Sequence, residues 1–349
     1  MEYRCTEVKS RKDIRDFLGL PAAIYDRALY PRQKGLERQI LTGRHPLSRD
    51  FEIVACLVRG YGQGGGQRVL ARCILTFYKE DDTAYAGFFE SHEDVQAVRL
   101  LFSYLADRAR EKGRTSLTGP VDCSFWIRYR FKTDHFAQTY TGEPYNPPYY
   151  VRLWEAAGFT VKERYYSNYL RTPGQGDAGI KCKDRLRYSR EKGYEIRHTD
   201  RRHFRQDLDA IYGLLTEVYC GFPVYKPLSR RQFRKMFGKL RWVLNFEMVF
   251  LAYHGKRLAG FLICLPNFSS SKESRCLFGK AEEYVILYMG AGRRDAGLGG
   301  ALSELCREYL EKNSLRGIAA LIHEGNFSGN FYKSLTTRSC HYVLLERQV

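Results

Sequence analysis

A glycine-rich turn between an apolar run and an amphipathic run constrains this chain more than any other feature. Residues 284–289 are apolar, and from Leu298 onward the apolar residues recur at offsets of 3, 4, 7, 8, 11 and 12. This period predicts a helix over 298–312, preceded by a strand. The sequence RDAGLGG lies between them at 294–300. Because glycines let the backbone approach a ligand and a helix N-terminus offers free N–H groups to an anion, the segment predicts a pyrophosphate site.

Two common nucleotide-binding motifs do not fit this turn. A dinucleotide fingerprint needs Gly-x-Gly-x-x-Gly, but Gly290 and Gly292 are followed by Asp295 at the third glycine position. The Gly-Lys-Ser/Thr of a Walker loop is also absent. A flexible turn before a surface helix remains an alternative interpretation.

The turn resembles the acetyl-coenzyme A motif of the GNAT N-acyltransferase superfamily, Arg/Gln-x-x-Gly-x-Gly/Ala. Arg294, Gly297 and Gly299 match every defined position. The resemblance implies an acetyl-CoA or other acyl-CoA donor held by main-chain N–H groups, with its pantetheine arm beside the preceding strand. Its carbonyl oxygen would lie near the N–H of Met289 or Gly290, where the strand splays. The residues implied for donor binding are Met289, Gly290, Ala291, Arg293, Arg294, Ala296, Gly297, Leu298, Gly299, Gly300 and Asn326. Helix capping is the alternative role for Asn326.

The two halves of the chain follow one plan. Each half is predicted to run from antiparallel strands into a strand–turn–helix–strand unit. Both halves end with an asparagine, an aromatic pair and a leucine, at 146–153 and at 326–335. This resembles the last helix of the GNAT fold, although the second half has Thr336 and Thr337 where the usual form has glycine.

The fold class expected from the resemblance is α/β, with two GNAT-like domains in tandem, each a mixed and mostly antiparallel twisted sheet flanked by helices. The expected domains are 1–171, a degenerate GNAT-like domain, and 193–349, a GNAT domain with the acyl-CoA site. A basic linker is expected at 172–192. Phosphate binding by its basic run, 181–192, is the alternative to a solvated linker. The first half has Glu90, Glu93 and Asp94 where the second has its glycine turn, and such acidic residues would repel a pyrophosphate.

Three residues are candidates for proton transfer. The resemblance implies that Tyr332 protonates the leaving thiolate, a task that suits a phenol whose pKa lies near 10. A buried core aromatic is the alternative for this residue. His323 and Glu283, near the ends of two predicted strands, are candidates for the base that deprotonates the amine. Simple solvation at strand ends is the alternative for both.

Composition limits the remaining possibilities. Net charge is +18 over 349 residues, which exceeds what binding of a CoA donor needs. The excess indicates either an acidic partner, such as an acyl carrier protein or tRNA, or a generally basic surface. Neither the histidines nor the ten cysteines show a metal-ligand spacing, and no metal is expected. No apolar stretch approaches the ~20 residues of a membrane span. A cytoplasmic protein with reduced thiols is expected.

The leading hypothesis is transfer of an acyl group, most simply acetyl, from a CoA thioester to a primary amine of a small molecule or peptide by direct attack. One alternative keeps the tandem fold but takes the acyl group from an aminoacyl-tRNA or an acyl carrier protein. Another is a non-catalytic acyl-CoA-binding module. The segments 220–225 and 269–275 are expected to border the acceptor cleft. The acceptor and the acyl chain length are not predicted.

Overall fold

The computed structural model describes residues 2–26, 34–62, 66–174, 180–269 and 281–349, with no side-chain detail at 180 and 181. The chain forms two compact units. Unit 1 comprises Met1–Ala137, Pro144–Arg164 and Tyr342–Val349, and unit 2 comprises Gln138–Glu143 and Tyr165–His341. Each unit is therefore assembled from segments that are distant in sequence.

Unit 1 is built on an antiparallel sheet in the order β1-β2-β3-β4, to which β5 adds in parallel beside β4. Helix α4 packs over the sheet, and its buried face joins Trp154 of α5 in one aromatic and aliphatic core. The elements are β1 (Glu2–Glu7), α1 (Arg11–Gly19), α2 (Pro21–Ile24), α3 (Lys34–Leu41), β2 (Glu52–Tyr61), β3 (Gln67–Phe77), β4 (Thr83–Ser91), α4 (Val95–Glu111), β5 (Ser116–Gly119), β6 (Phe131–Lys132) and α5 (Tyr150–Ala156).

Unit 2 holds the sheet β7-β12-β11-β10-β9-β8, in which β11 and β12 are parallel and the other pairs are antiparallel. Strands β7 and β13 each divide between the two units. The elements are β7 (Thr160–Leu170), α6 (Ile180–Glu191), β8 (Tyr194–His198), α7 (Phe204–Tyr219), α8 (Arg230–Phe237), β9 (Val249–His254), β10 (Arg257–Pro266), β11 (Glu283–Ala291), α9 (Leu298–Lys312), β12 (Arg316–His323) and β13 (Thr336–Gln348). Short 3-10 helices lie at Gly238–Trp242, Phe246–Met248, Phe327–Asn330 and Lys333–Leu335.

The predicted fold class is confirmed, since both units are mixed, mostly antiparallel sheets flanked by helices. Helix α9 covers the predicted 298–312 because its apolar face packs on the sheet through Leu298, Ala301, Leu302, Cys306 and Leu310. Two segments differ from expectation. Part of the predicted linker is helix α6, and the helix expected near 326–335 is replaced by two 3-10 turns.

The domain bounds at 171 and 193 stay a prediction, because the compact units are not continuous in sequence. Helix α6 lies within unit 2, and the last eight residues, Tyr342–Val349, group with unit 1. Most of the loop at 269–275 that was expected to border an acceptor cleft lies outside the described residues.

No helix in the described ranges has the length and apolar character needed to cross a membrane. Nine cysteines in these ranges carry free thiols. The described histidines, cysteines and carboxylates form no group of three or more that is able to hold a metal ion.

Candidate functional site

Strands β11 and β12 separate half-way along their length. Their parallel pairing runs from Glu283 opposite Arg316 to Ile286 opposite Ala319 and then ends. Beyond this point each strand still pairs on its outer side, β11 with β10 and β12 with β7. The residues of β11 are buried up to Ile286, whereas Leu287, Tyr288 and Met289 are partly exposed. An opening therefore forms between two neighbouring strands of unit 2.

Irregularities in both strands lie at the level where they part. The register between β10 and β11 shifts so that Leu287 is an extra residue on β11. On β12 the register against β7 shifts between Ala319 and Ile322, and Leu321 has a φ of 59°. A bulge bends its strand, and a left-handed leucine costs on the order of 1–3 kcal/mol. The hydroxyl of Ser167 accepts the N–H of Leu321 at 3.0 Å and helps to hold this conformation.

The open edge of β11 presents main-chain groups. Gly292 N–H donates to Ala259 of β10, and because alternate residues of a strand face the same side, the N–H of Gly290 also faces β10. The N–H groups of Met289 and Ala291 therefore face the opening, and no described residue accepts from them. Of the two donors considered for a thioester oxygen, Met289 or Gly290, the geometry favours Met289. Tyr219, at the end of α7, donates its hydroxyl to the Met289 carbonyl at 3.2 Å.

The glycine turn leads directly from this edge into α9. Gly297 has a φ of 91°, in the left-handed region that favours glycine, and it precedes the first residue of the helix. The main-chain N–H groups of Ala296, Gly297, Leu298 and Gly299 lie in this turn and the first turn of α9. Two N–H groups are taken, since Leu298 donates to the Asp295 carbonyl at 3.2 Å and Gly300 donates to the Gly297 carbonyl at 3.1 Å.

The buried carboxylate of Asp295 fixes the glycine turn by its bonds to Arg257 and Tyr194. Asp295 receives two bonds from the Arg257 guanidinium, at 2.7 and 2.8 Å, and one from the Tyr194 hydroxyl at 2.8 Å. The bond from Arg257 holds the pKa of Asp295 below its ordinary value. A Cβ on Gly292 would lie 2.4 Å from an oxygen of this carboxylate, so glycine is needed there. The Asp295 charge is thus committed to Arg257 and Tyr194.

Positive charge gathers on the outer side of the same turn. Arg293 and Arg294 are exposed. A Cβ on Gly297 would lie 2.9 Å from Cδ of Arg185, which belongs to α6. The Phe331 ring covers the neighbouring stretch of backbone, 3.4 Å from the Cβ position of Gly299. No described carboxylate pairs with Arg185, Arg293 or Arg294.

The candidate bases occupy different ends of the strands. His323 lies at the end of β12, beyond the point of separation, and its ring contacts the Tyr165 ring at 5.0 Å. Glu283 begins β11 at the opposite end, where it accepts a bond from Asn267 at 2.6 Å and lies 3.7 Å from Arg316. Seven residues of strand place it roughly 20 Å from Gly290. The structure therefore brings His323, but not Glu283, to the open end.

The proposed acid and the asparagine both have structural partners. Tyr332 is buried, and its hydroxyl donates to the Ser303 carbonyl of α9 at 3.2 Å. Burial, with a smaller contribution from Cys306 and Cys264, raises the pKa of this phenol well above its ordinary value. Asn326 caps a 3-10 helix by accepting the Ser328 N–H at 3.2 Å. Proton donation by Tyr332 and acyl-CoA binding by Asn326 both stay predictions.

Sequence patterns did not indicate Tyr219 or Arg257 as site residues. Arg185 belongs to the basic run 181–192, for which phosphate binding was the alternative to a solvated linker. Tyr219 lies next to the segment 220–225 that was expected to border an acceptor cleft, which is the one signal that pointed toward it. Arg257 and Arg185 reach the turn from β10 and α6, and no spacing in the sequence relates them to it.

Comparison with known proteins agrees with this architecture. No family model matches the chain. Protein YghO of Escherichia coli strain K12 is 20% identical over 274 residues, which cover 75% of this chain and 68% of that protein. A tandem GNAT protein from the clavulanic acid biosynthesis pathway superposes with a TM-score of 0.52 and 14% identity, covering 99% of this chain and 98% of its own. A GCN5-related N-acetyltransferase from Sphaerobacter thermophilus gives 0.51 and 13%, covering 99% and 95%.

This chain has the tandem GNAT fold. The expected family resemblance is thus confirmed at the level of the fold, over nearly the whole length of both chains. In this tandem GNAT fold the separated strands and the glycine turn both belong to unit 2.

Proposed function

We propose that this tandem GNAT protein is an N-acyltransferase that moves an acyl group from a CoA thioester to a primary amine. The observation that carries the proposal is the parting of β11 and β12 after Ile286 and Ala319, directly before the glycine turn of α9. An extended pantetheine arm has the length and the amide groups to pair with the open edge of β11. A pyrophosphate at its other end would meet the N–H groups of the turn.

Two features of the chain would bind and orient the donor. The N–H groups of Met289 and Ala291 lie on the open edge and have no acceptor among the described residues. Such groups stabilise a thioester oxygen as negative charge develops on it. The turn around Gly297 and the side chains of Arg293 and Arg294 supply positive charge for phosphates. CoA supplies the thioester and its leaving thiolate.

We assign His323 as the proposed base, because it is the candidate that lies at the open end of the strands. Imidazole titrates near neutral pH and can take a proton from an amine directly or through water. We do not assign Glu283 this role, since its carboxylate is held by Asn267 and lies near Arg316 at the far end of β11. Acetyl-CoA is the simplest donor, and the amine is a small molecule or a peptide.

Replacing Gly297 with glutamate tests the proposed donor site. A side chain there strains a left-handed residue, pushes against Arg185 and brings a negative charge to the phosphate site. Affinity for acetyl-CoA, measured by titration calorimetry, should fall by about a hundredfold or more. Gly255→Glu is a matched control, because Gly255 also has a positive φ, of 59°, but has open space around it.

Binding and turnover together decide the proposal. Wild-type protein should bind acetyl-CoA, and release of free thiol in a panel of amines should follow. Absence of binding to acetyl-CoA and to longer acyl donors would overturn the proposal. Binding of acetyl-CoA without release of the CoA thiol in the presence of any amine would indicate an acyl-CoA-binding module and not an enzyme.

A further inference from the structure

Helix α6 covers a face of α9 that the sequence pattern assigns to solvent. Besides its apolar stripe, α9 buries a second stripe at Gly300, Ser303, Glu304 and Arg307. These positions follow the 3, 4, 7 spacing of one helical face. Helix α6 packs against α9, with Leu186 buried in the core of unit 2. Cys182 lies near Glu304 and Arg307, and burial raises the pKa of its thiol.

This packing determines where Arg185 lies. Its neighbour Leu186 is buried, and Arg185 runs along α9 with its Cβ and Cγ 3.8 and 3.6 Å from the Cβ position of Gly300. The guanidinium end reaches Gly297, where Nη1 and Nε lie 3.2 and 3.3 Å from the Cβ position. Glycine at both positions therefore leaves room for an arginine from another helix.

This placement adds Arg185, which is exposed, to a turn that is already positively charged. The N-terminus of α9 carries the positive end of the helix dipole, and Arg293 and Arg294 are in the same turn. The nearest carboxylate of the turn, Asp295, is already bonded to Arg257 and Tyr194. Among the described residues no acidic group pairs with these three exposed arginines, so the turn presents positive charge that would attract an anion.

We propose that Arg185 is a phosphate-binding residue of the donor site, supplied by α6 from outside the strand–turn–helix motif. The inference rests on the proposed function, since the phosphates are those of the acyl-CoA. A guanidinium forms two parallel bonds to phosphate oxygens, which the backbone N–H groups of the turn cannot do from one residue. Helix α6 is thereby part of the binding site, in a segment that reads as a basic linker.

The test compares three donors on two matched variants. Arg185→Gln removes the guanidinium. Arg187→Gln makes the same change on the same helix, at an exposed residue paired with Asp184 at 3.4 Å. The probes are acetyl-CoA, S-acetyl-4′-phosphopantetheine and S-acetylpantetheine, which carry decreasing numbers of phosphates. Affinities are measured by titration calorimetry at fixed salt.

Arg185→Gln should weaken acetyl-CoA binding about ten- to hundredfold, and Arg187→Gln should leave it within about twofold. The loss should shrink with the number of phosphates and vanish for S-acetylpantetheine. Arg185→Lys should bind acetyl-CoA more tightly than Arg185→Gln but more weakly than the wild type, because lysine keeps the charge but cannot form the two parallel bonds of a guanidinium.

Other outcomes separate this inference from the proposed function. Equal acetyl-CoA affinity of wild type and Arg185→Gln would overturn the role of Arg185 and leave the donor site standing. Tighter binding by Arg185→Gln would overturn it as well, and would make the residue an obstruction over the turn. Failure of the wild type and both variants to bind any of the three donors would remove the proposed function and this inference together.

Discussion

The edge of β4 in unit 1 and the edge of β11 in unit 2 begin alike and end differently. Each strand pairs in parallel with its neighbour for a few residues and then loses that partner, β4 after Tyr85 and β11 after Ile286. In unit 1 the chain itself fills the gap. Val121 N–H donates to the Ala86 carbonyl at 2.8 Å, and the Asp122 carboxylate accepts the Phe88 N–H. In unit 2 no described residue accepts from the N–H groups of Met289 and Ala291.

The helices that follow these strands repeat the contrast. Helix α4 is capped by Asp94, whose carboxylate accepts the Ala97 N–H at 3.0 Å. Helix α9 begins after Gly297 without any side-chain cap. A cap satisfies the free N–H groups and places negative charge at the helix N-terminus. One copy of the fold is therefore closed by its own atoms, whereas in the other the N–H groups of Met289 and Ala291 have no acceptor among the described residues.

A substitution at Gly87 in unit 1 is expected to have the largest effect on stability. A Cβ at this position would lie 1.9 Å from the carbonyl oxygen of Val121 and 2.7 Å from the Cα of Asp122. Both atoms are backbone, so no side chain can move aside. We expect Gly87→Ala to lower the free energy of unfolding by at least about 3 kcal/mol, measured by urea denaturation.

Gly19→Ala is the matched control for that experiment. Gly19 ends α1 in the same unit, and nothing lies within 4 Å of its Cβ position. We expect this variant to be neutral or more stable by about 0.4–1 kcal/mol, because alanine restricts the unfolded chain. Similar stability of Gly87→Ala and Gly19→Ala would show that residues 121–122 do not fill the edge of β4.

A substitution at Asp295 should weaken the open copy by a smaller amount. Its carboxylate is buried and takes two bonds from Arg257. The Asp295→Asn change would keep the shape of the side chain but remove its charge, at a cost of about 1–3 kcal/mol in stability. Donor affinity, measured by titration calorimetry, should fall too, because the backbone of the turn is no longer fixed.

The pH dependence of stability sharpens this prediction. The folded-state pKa of Asp295 is lowered, chiefly by the bond from Arg257. Its contribution is therefore fully present above the ordinary aspartate pKa near 4, and it is lost as the pH falls through the folded-state pKa. The stability difference between wild type and Asp295→Asn should shrink below about pH 4. A difference that stays constant from pH 7 to pH 3 would contradict this role of the carboxylate.

The sequence predicted α9 and the glycine turn because both depend on local patterns. The apolar period of the helix and the glycines at 297 and 299 can be read within 20 residues of chain. Helix α6 was missed for the opposite reason. It is strongly basic, and the face it covers on α9 consists of Gly300, Ser303, Glu304 and Arg307, which resembles a solvated surface until a second helix is placed there.

The resemblance implied that the strand splays near Met289 and Gly290, but the cause of the opening between β11 and β12 could not be predicted from the residues. The opening depends on an extra residue at Leu287 and a left-handed Leu321. Neither residue type marks a bulge or favours a positive φ. Both features arise from pairing with strands that are distant in sequence. The resemblance to a known motif indicated 289–300 as the donor site. The direction of each N–H group and the contact of Arg185 with Gly297 depend on the tertiary structure.

The smallest expected effect on stability is that of Tyr332, whose counterpart after the asparagine of the first half is Tyr150. Tyr150 accepts the Ser91 N–H and donates to the buried Glu90 carboxylate at 2.7 Å. Tyr332 donates to the neutral Ser303 carbonyl at 3.2 Å. If both hydroxyls are structural, Tyr150→Phe should cost about 1–3 kcal/mol, because it leaves Glu90 without this donor, and Tyr332→Phe about 1 kcal/mol.

Turnover distinguishes this expectation from the acid role predicted for Tyr332. A proton donor in the transition state is worth about 10²–10⁴ in kcat, whereas a buried structural hydroxyl changes kcat little. Its raised pKa and its bond to Ser303 lead us to expect a kcat within a few-fold of wild type for Tyr332→Phe. A loss of about 10²-fold or more at unchanged stability would show instead that the hydroxyl leaves Ser303 during the reaction. Unit 2 would then differ from unit 1 in its last tyrosine as well as in its open edge.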